Sequence, residues 1–195
     1  QVARQLFHIS GTPFEDIRVP KEEWATLKAI TAIPFGKVPL LEVDGEPLPQ
    51  SFAINRYLAN EYGFAGNSPF ESAWIDALAD AYKDYFDEIH DGIGVIFGIV
   101  PGGDKEKTRK EIFEPARDKF FPALEQRLND AGSSGFLVGS SLTWVDLLVA
   151  EHFDVMSPLL PGYFDVYPAI VAHHNKVHAV PKVKEWVAIR PKTPF

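Results

Sequence analysis

The constraint that acts first on this chain is a change of pattern close to Gly63. Ahead of it, short helical and β-like stretches alternate. Gln1–Ile9 reads as a helix with Val2, Leu6 and Ile9 on one side, and Phe14–Val19 reads as a short strand after the Gly11-Thr12-Pro13 turn. Val38–Val43 and Glu46–Leu48 are two further strands. Asp44-Gly45 between them suits a type I′ hairpin, whose two central residues both need positive φ. A helix then runs from Gln50-Ser51 to Tyr62-Gly63, with Ile54, Tyr57 and Leu58 apolar. Gly63–Glu71 is polar and contains glycine and proline, as a linker does. Beyond it the pattern is helical throughout. The expectation is an α/β domain over residues 1–62, a linker over 63–71 and an all-α domain over 72–195.

In the helical half, Trp74, Ala77, Leu78, Ala81, Tyr82, Tyr85, Ile89 and Ile93 recur at helical spacing, with Asp76, Asp80, Asp84, Asp87 and Glu88 across from them. This predicts an amphipathic helix over Ser72–Phe97. Lys105–Ala131 is a second long helix through Ile112, Phe120, Leu124 and Leu128. Pro115 and Pro122 should kink it, because each lacks the N–H that an inner turn uses. A third helix starts at Thr143. Pro168–Val180 and Pro181–Ile189 each open on a proline, which is tolerated in a first turn.

Composition removes several functions. The 195 residues carry 19 Lys+Arg against 27 Asp+Glu, a net charge of −8, with no basic cluster of the kind that grips nucleic acid or an anionic membrane. No apolar run approaches the roughly 18 residues that span a bilayer, and no charged-apolar-small leader is visible, so a cytoplasmic home is expected. Cysteine is absent from the sequence. Disulfides, thiolate nucleophiles, Cys-x-x-Cys redox chemistry and Cys-based zinc sites are excluded with it.

The segment with the sharpest chemistry is Pro34-Phe35-Gly36-Lys37-Val38-Pro39-Leu40-Leu41, followed by Asp44-Gly45 and Gln50-Ser51. An X-Pro bond directly before a strand is a good candidate for the cis form. Such a turn faces the Val38 backbone N–H and C=O outward, free to pair with a peptide-like ligand as a short extra strand. Ser51 stands at the mouth of a helix, where its hydroxyl, the unpaired N–H groups and the helix dipole all favour a carboxylate. Together these form a site for a small acidic peptide. The same residues also fit an ordinary strand, hairpin and capped helix.

Pro34–Val43, Asp44-Gly45, Gln50-Ser51, Ile54 and Arg56-Tyr57-Leu58 resemble the glutathione-binding domain of cytosolic glutathione transferases, most closely the sigma class. The resemblance continues to the end of the chain. Ser141-Leu142-Thr143-Trp144-Val145-Asp146 is similar to the family's helical-domain capping motif, and Tyr167-Pro168, Val180-Pro181, Trp186 and Arg190-Pro191 are similar to its C-terminal pattern. It implies a thioredoxin-like α/β domain followed by an all-α domain, with glutathione as cosubstrate. It also implies that Trp24, Lys28 and Lys37 hold the glycyl end of glutathione, Val38 the cysteinyl backbone, and Gln50 and Ser51 the γ-glutamyl carboxylate. Asp84 corresponds to an acidic residue that reaches the γ-glutamyl ammonium of the neighbouring subunit, which implies a homodimer. Phe86, Ile89, Leu148 and His152 correspond to positions near the pocket for a small hydrophobic electrophile. In the family a tyrosine at the end of the first strand stabilises the glutathione thiolate. That strand and tyrosine are expected upstream of Gln1, so no catalytic residue is assigned within the 195.

The implied reaction is conjugation of the glutathione thiolate to electrophilic apolar compounds, as in detoxification. The alternatives are a glutathione-dependent prostaglandin D isomerase and a catalytically silent ligand-binding or structural protein of the same fold. Other features have plain structural readings. Thr143 and Asp146 form a capping box. Asp76 and Asp80 read as a solvated helix face, and Tyr57, Tyr82 and Tyr85 as packing. Gly132–Gly139 lacks the Gly-Lys-Ser/Thr ending of a phosphate loop and is a turn. The neighbours His173 and His174 point to different sides of a helix and make a poor metal pair, so no metal ligand is assigned.

Overall fold

The computed structural model describes residues 1–30 and 33–191. Helix α1 (Val2–Ser10) buries Val2 and Leu6, as its spacing predicts, and ends where Gly11 turns left-handed at φ 76° and returns its N–H to the Phe7 and His8 carbonyls. Phe14–Val19 does not form the expected strand. A strand exists through its ladder, and this segment has no backbone partner among the described residues. Side chains hold it instead: Asp16 accepts from both Arg4 and Arg18 at 2.8 Å, and the Phe14 ring stacks on Phe7 with centroids 4.6 Å apart.

Helix α2 (Lys21–Ile30) is followed by a tight 3-10 turn over Pro34–Gly36, then strands β1 (Leu40–Val43) and β2 (Glu46–Pro49). The two strands pair antiparallel, Leu41 opposite Leu48 and Val43 opposite Glu46. Asp44 and Gly45 take φ 51° and 86°, the left-handed pair that the hairpin requires. Leu41 and Leu48 turn their common face onto the core, against helix α3 (Ser51–Tyr62), which buries Ile54, Leu58 and Ala59.

Helix α4 (Pro69–Ile96) starts three residues before the pattern predicts, because the Ser68 hydroxyl caps the Glu71 N–H and Pro69 fits the first turn. Its buried face is Ile75, Leu78, Ala79, Tyr82, Tyr85, Ile89, Gly92 and Ile96. Trp74, Ala77 and Ala81, expected inside, lie exposed, because they fall outside the edge of this stripe. The Trp74 ring is covered by Arg127 instead, whose guanidinium carbon sits 4.1 Å from the ring centroid. Asp76 and Asp80 are not a free acidic face either. Both accept from Arg56 on α3 at 2.7 Å, tying the first half of the chain to the second.

The helix expected over Lys105–Ala131 is helix α5 (Lys105–Thr108), a π turn (Arg109–Phe113) and helix α6 (Glu114–Asp130). Pro115 has no N–H to give to the carbonyl four residues back. The helix widens just ahead of it, with the Glu114 N–H reaching the Arg109 carbonyl, and continues beyond. Pro122 stays inside α6. Gly92 of α4 lets this turn pack close: a methyl there would lie 2.6 Å from the Phe113 ring and 2.9 Å from Thr108.

Helices α7 (Trp144–Leu159), α8 (Pro168–Ala179) and α9 (Pro181–Ile189) complete the bundle. Thr143 and Asp146 form the expected capping box, and Asp146 does more. Fully buried, its carboxylate accepts from the Thr143 N–H and hydroxyl at 2.8 and 2.7 Å and from the Leu137 N–H at 2.8 Å, and meets His173 Nε2 on α8 at 2.9 Å. One core runs from α1 and α3 through the helical half. At the seam, the Trp144 N–H donates to the Phe64 carbonyl at 3.1 Å and Gln5 donates to Glu151 at 3.2 Å.

Candidate functional site

A small pocket opens where the turn before β1 meets the end of β2 and the start of α3. Pro34, Lys37, Val38, Pro39, Pro49, Gln50 and Ser51 line it. The local sequence explains how it forms. Phe35 and Gly36 both take φ 59°, which turns the chain sharply after Pro34. The Val38-Pro39 bond is cis, as its position before the strand suggests, and Val38 is 57% exposed. Its N–H and C=O make no backbone hydrogen bond among the described residues. Gln50 holds φ 74° and ψ 114° at the entrance to α3, a backbone state that non-glycine residues rarely adopt and that costs about 1–3 kcal/mol.

That turn leaves the mouth of α3 uncapped. Gln50 gives its carbonyl to the Ile54 N–H, but no side chain caps the helix, so the first N–H groups have no intrahelical acceptor. With the dipole they favour an anion. Lys37 brings a cation to the same pocket. Lys28 stands on the other side of the turn: a Cβ built at Gly36 would lie 2.9 Å from Lys28 Cε and 3.3 Å from Nζ. Trp24 is half-buried one helical turn before Lys28 on α2. The structure therefore gathers Lys37, Val38, Gln50 and Ser51 in one pocket and sets Lys28 against its turn. Asp84 is exposed on α4, outside the pocket lining, with no ion pair among the described residues.

The remaining candidates lie in the helical half. Phe86 is exposed enough to touch a ligand, whereas Ile89 and Leu148 are buried. His152 is enclosed in the core rather than set in a cleft wall. Its ring nitrogens meet the Tyr82 hydroxyl at 3.1 Å through Nδ1 and the Tyr85 hydroxyl at 3.0 Å through Nε2. The directions of these bonds follow from counting protons. Tyr163 donates its only hydroxyl proton to the Phe113 carbonyl at 2.7 Å, so Tyr85 must donate to Tyr163. Tyr85 then accepts from Nε2–H, and Tyr82 donates to Nδ1. Burial pushes the imidazole pKa down to about 3, which keeps this neutral tautomer, and pushes the Tyr82, Tyr85 and Tyr163 hydroxyls up. None of those hydroxyls faces the pocket at α3.

His173 and His174 do diverge, His173 to Asp146 and His174 to Asp154. Sequence reasoning missed His178, which joins His174 on the same carboxylate, Asp154. The signal was present as His174 and His178 four residues apart on one helix.

Two family models match the chain: residues 2–60 the glutathione S-transferase N-terminal domain, and residues 87–190 the glutathione S-transferase C-terminal domain. The chain belongs to the glutathione S-transferases. The transferase is 45% identical to the probable glutathione S-transferase 5 of Caenorhabditis elegans, over all of this chain and 93% of that protein. It superposes on the monomeric glutathione S-transferase Na-GST-3 of Necator americanus with TM-score 0.93 at 44% identity, covering 100% of this chain and 93% of that one. For a Nu-class transferase of Haemonchus contortus the values are 0.88, 43%, 100% and 92%. The structure of rat hPGDS complexed with a quinoline is more distant, at TM-score 0.84 and 29% identity, with 100% and 92% covered. The expected thioredoxin-like plus helical fold, transferase activity and use of glutathione as cosubstrate all hold for this chain. Among the described residues no helix is long and apolar enough to cross a membrane.

Proposed function

We propose that this transferase joins the glutathione thiolate to electrophilic apolar compounds, working as a sigma-like homodimer in the cytoplasm, with residues 1–62 as its glutathione domain, 63–71 as the linker and 72–195 as the helical domain. The observation that carries this reading is the convergence at α3, where an exposed Val38 backbone, an uncapped helix mouth and the side chains of Lys37, Gln50 and Ser51, none with a hydrogen-bond partner among the described residues, share one pocket. Val38 would pair with the cysteinyl unit as an added strand. Gln50, Ser51 and the α3 N–H groups would hold the γ-glutamyl carboxylate, and Lys37, Lys28 and Trp24 the glycyl end.

In the reaction the sulfur forms a bond to an electrophilic carbon as the leaving group departs. Binding fixes the sulfur in position, and a hydroxyl donor keeps it ionised. For the apolar partner, Phe86 presents surface, whereas Ile89, Leu148 and His152 are buried. Two features support the dimer. Asp84 has no ion-pair partner among the described residues, and Phe70, Trp74, Ala77 and Ala81 leave an apolar strip exposed on α4.

The test is retention on immobilised glutathione, followed by calorimetric titration with free glutathione and a conjugation assay with an aromatic halide. The unaltered protein should be retained, and Ser51→Ala and Trp24→Ala should each reduce binding while keeping the helical circular dichroism. A folded parent protein that flows through would overturn the reading.

A further inference from the structure

A second polar cluster lies in the helical half, among residues that the glutathione pocket does not use. Helix α8 places His174 and His178 one turn apart, so both rings project on the same side, toward α7. Asp154 of α7 meets them. His174 Nε2 lies 2.7 Å from Asp154 Oδ1, and His178 Nε2 lies 3.2 Å from Oδ2. One ligand atom from each of the three residues falls within a span of 4.8 Å, small enough for a single ion to bridge.

The surroundings hold this arrangement in place. The His174 ring stacks on Phe153 with centroids 4.1 Å apart, and the His178 ring lies 4.1 Å from that of His174. Burial alone would raise the Asp154 carboxyl; the hydrogen bonds from His174 and His178 outweigh it and hold the carboxyl well below the usual carboxylate range. Arg190 also reaches Asp154 Oδ2 at 3.1 Å and pairs with Glu151 at 2.7 Å. The fixed charges at the cluster are therefore two carboxylates and one guanidinium, a net −1 before any ion enters. The side chains are partly buried, and the two histidines form part of the wall of an open groove of about 340 Å³ with Asn175, Ala179, Lys184 and Val187. An ion can enter from there and keep a water on its open side.

We propose that Asp154, His174 and His178 form a binding site for a divalent transition ion of the zinc type. Two imidazole nitrogens and one carboxylate oxygen with a free fourth position match the donor preference of Zn²⁺, Co²⁺ or Ni²⁺ rather than that of Ca²⁺ or Mg²⁺, which take all-oxygen shells. On binding, the two Nε2 atoms change from hydrogen-bond donors to ligands, their protons moving to Nδ1, and Asp154 exchanges two hydrogen bonds for one metal bond. The ion would clamp α8 to α7. Arg190, which already occupies one Asp154 oxygen, sets an upper limit on affinity.

The test uses the untagged full chain without glutathione. Titration with Zn²⁺ should show one strong site per chain, and saturating Zn²⁺ should raise the melting temperature by several degrees, as a ligand specific to the folded state does. Co²⁺ should give visible absorption bands typical of a four-coordinate site; in a chain free of cysteine these come from nitrogen and oxygen donors alone. His178→Ala and His174→Ala should each weaken Zn²⁺ binding at least tenfold and abolish the Co²⁺ bands. His90→Ala, which removes an exposed histidine on α4, should leave both unchanged. Asp154→Asn tests the carboxylate, and His178→Gln repeats the histidine test with a bulkier side chain in case Ala disturbs the helix. Zn²⁺ affinity and melting shift that persist in the His174→Ala, His178→Ala double variant would overturn the proposal, as would the absence of any Zn²⁺-dependent shift in the parent protein.

Discussion

On the buried face of α7, Asp146 meets four partner atoms drawn from three segments, and His152 has both ring nitrogens taken by tyrosines. At the mouth of α3, Lys37, Gln50 and Ser51 have no side-chain hydrogen bond among the described residues, and the Val38 backbone is unpaired. Both regions are polar, yet they differ in where their hydrogen-bonding groups are directed. Around Asp146 and His152 the hydrogen-bonding groups are directed at other parts of the chain, so they fix the packing. Around α3 the same kinds of group are left facing outward, at the cost of strained backbone at Phe35 and Gln50. What separates the two regions is whether the hydrogen bonds of their residues are already satisfied.

This contrast can be tested directly, beginning where the effect should be greatest. Asp146→Ala leaves the Leu137 N–H, the Thr143 N–H and His173 buried without their acceptor, and should cost about 4 kcal/mol or more in urea denaturation. Asp146→Asn keeps the shape and should cost less. Next comes acid. His152 is neutral when folded, with its pKa lowered to about 3, against about 6.5 when unfolded. The unfolded state therefore takes up the proton first, and stability falls as pH drops from about 6.5 toward 3, by up to roughly 1.4 kcal/mol per pH unit on this account. His152→Gln should be less stable at pH 7 but should show a shallower loss over that window, measured as denaturation midpoints at several pH values.

Ser51→Ala belongs to the other region. It should weaken glutathione binding about tenfold while changing unfolding stability by less than about 0.5 kcal/mol, since no internal bond is lost. The smallest effect separates the two properties within one residue. Gln50→Gly removes the positive-φ strain and should raise stability by about 1 kcal/mol, while it weakens glutathione binding because the side chain is gone. If binding and stability fell together in either variant, the distinction between the regions would fail.

Much of the architecture was legible because it rests on local rules. The Asp44-Gly45 hairpin, the proline-opened helices and the Thr143–Asp146 box each need only neighbouring residues to specify them. The pocket at the mouth of α3 was legible for a similar reason, since Lys37, Val38, Gln50 and Ser51 sit within a single turn–hairpin–helix stretch. What escaped was non-local. Whether Phe14–Val19 forms a strand depends on a ladder partner that its own composition does not supply. The edge of the α4 stripe was misplaced: Leu78, Tyr82, Tyr85 and Ile89 are buried as expected, but Trp74, Ala77 and Ala81 lie outside it, and the Trp74 ring is covered by Arg127 from far along the chain. The pairing of Asp76 and Asp80 with Arg56 crosses between the halves in the same way. The convergence of Asp154 with His174 and His178 requires two helices to be docked.

The Asp146 carboxylate also bears on the order in which the helical half assembles. Its bonds to Thr143 span three residues and can close as soon as the first turn of α7 forms, whereas its contact with His173 spans 27 and waits for α8 to dock. The same side chain thus starts one helix early and receives another late. Weakening it from the Thr143 end should slow folding, and weakening it from the His173 end should mainly speed unfolding. How long the folded bundle persists is then governed by the distant contact, even though the nearby one begins its formation.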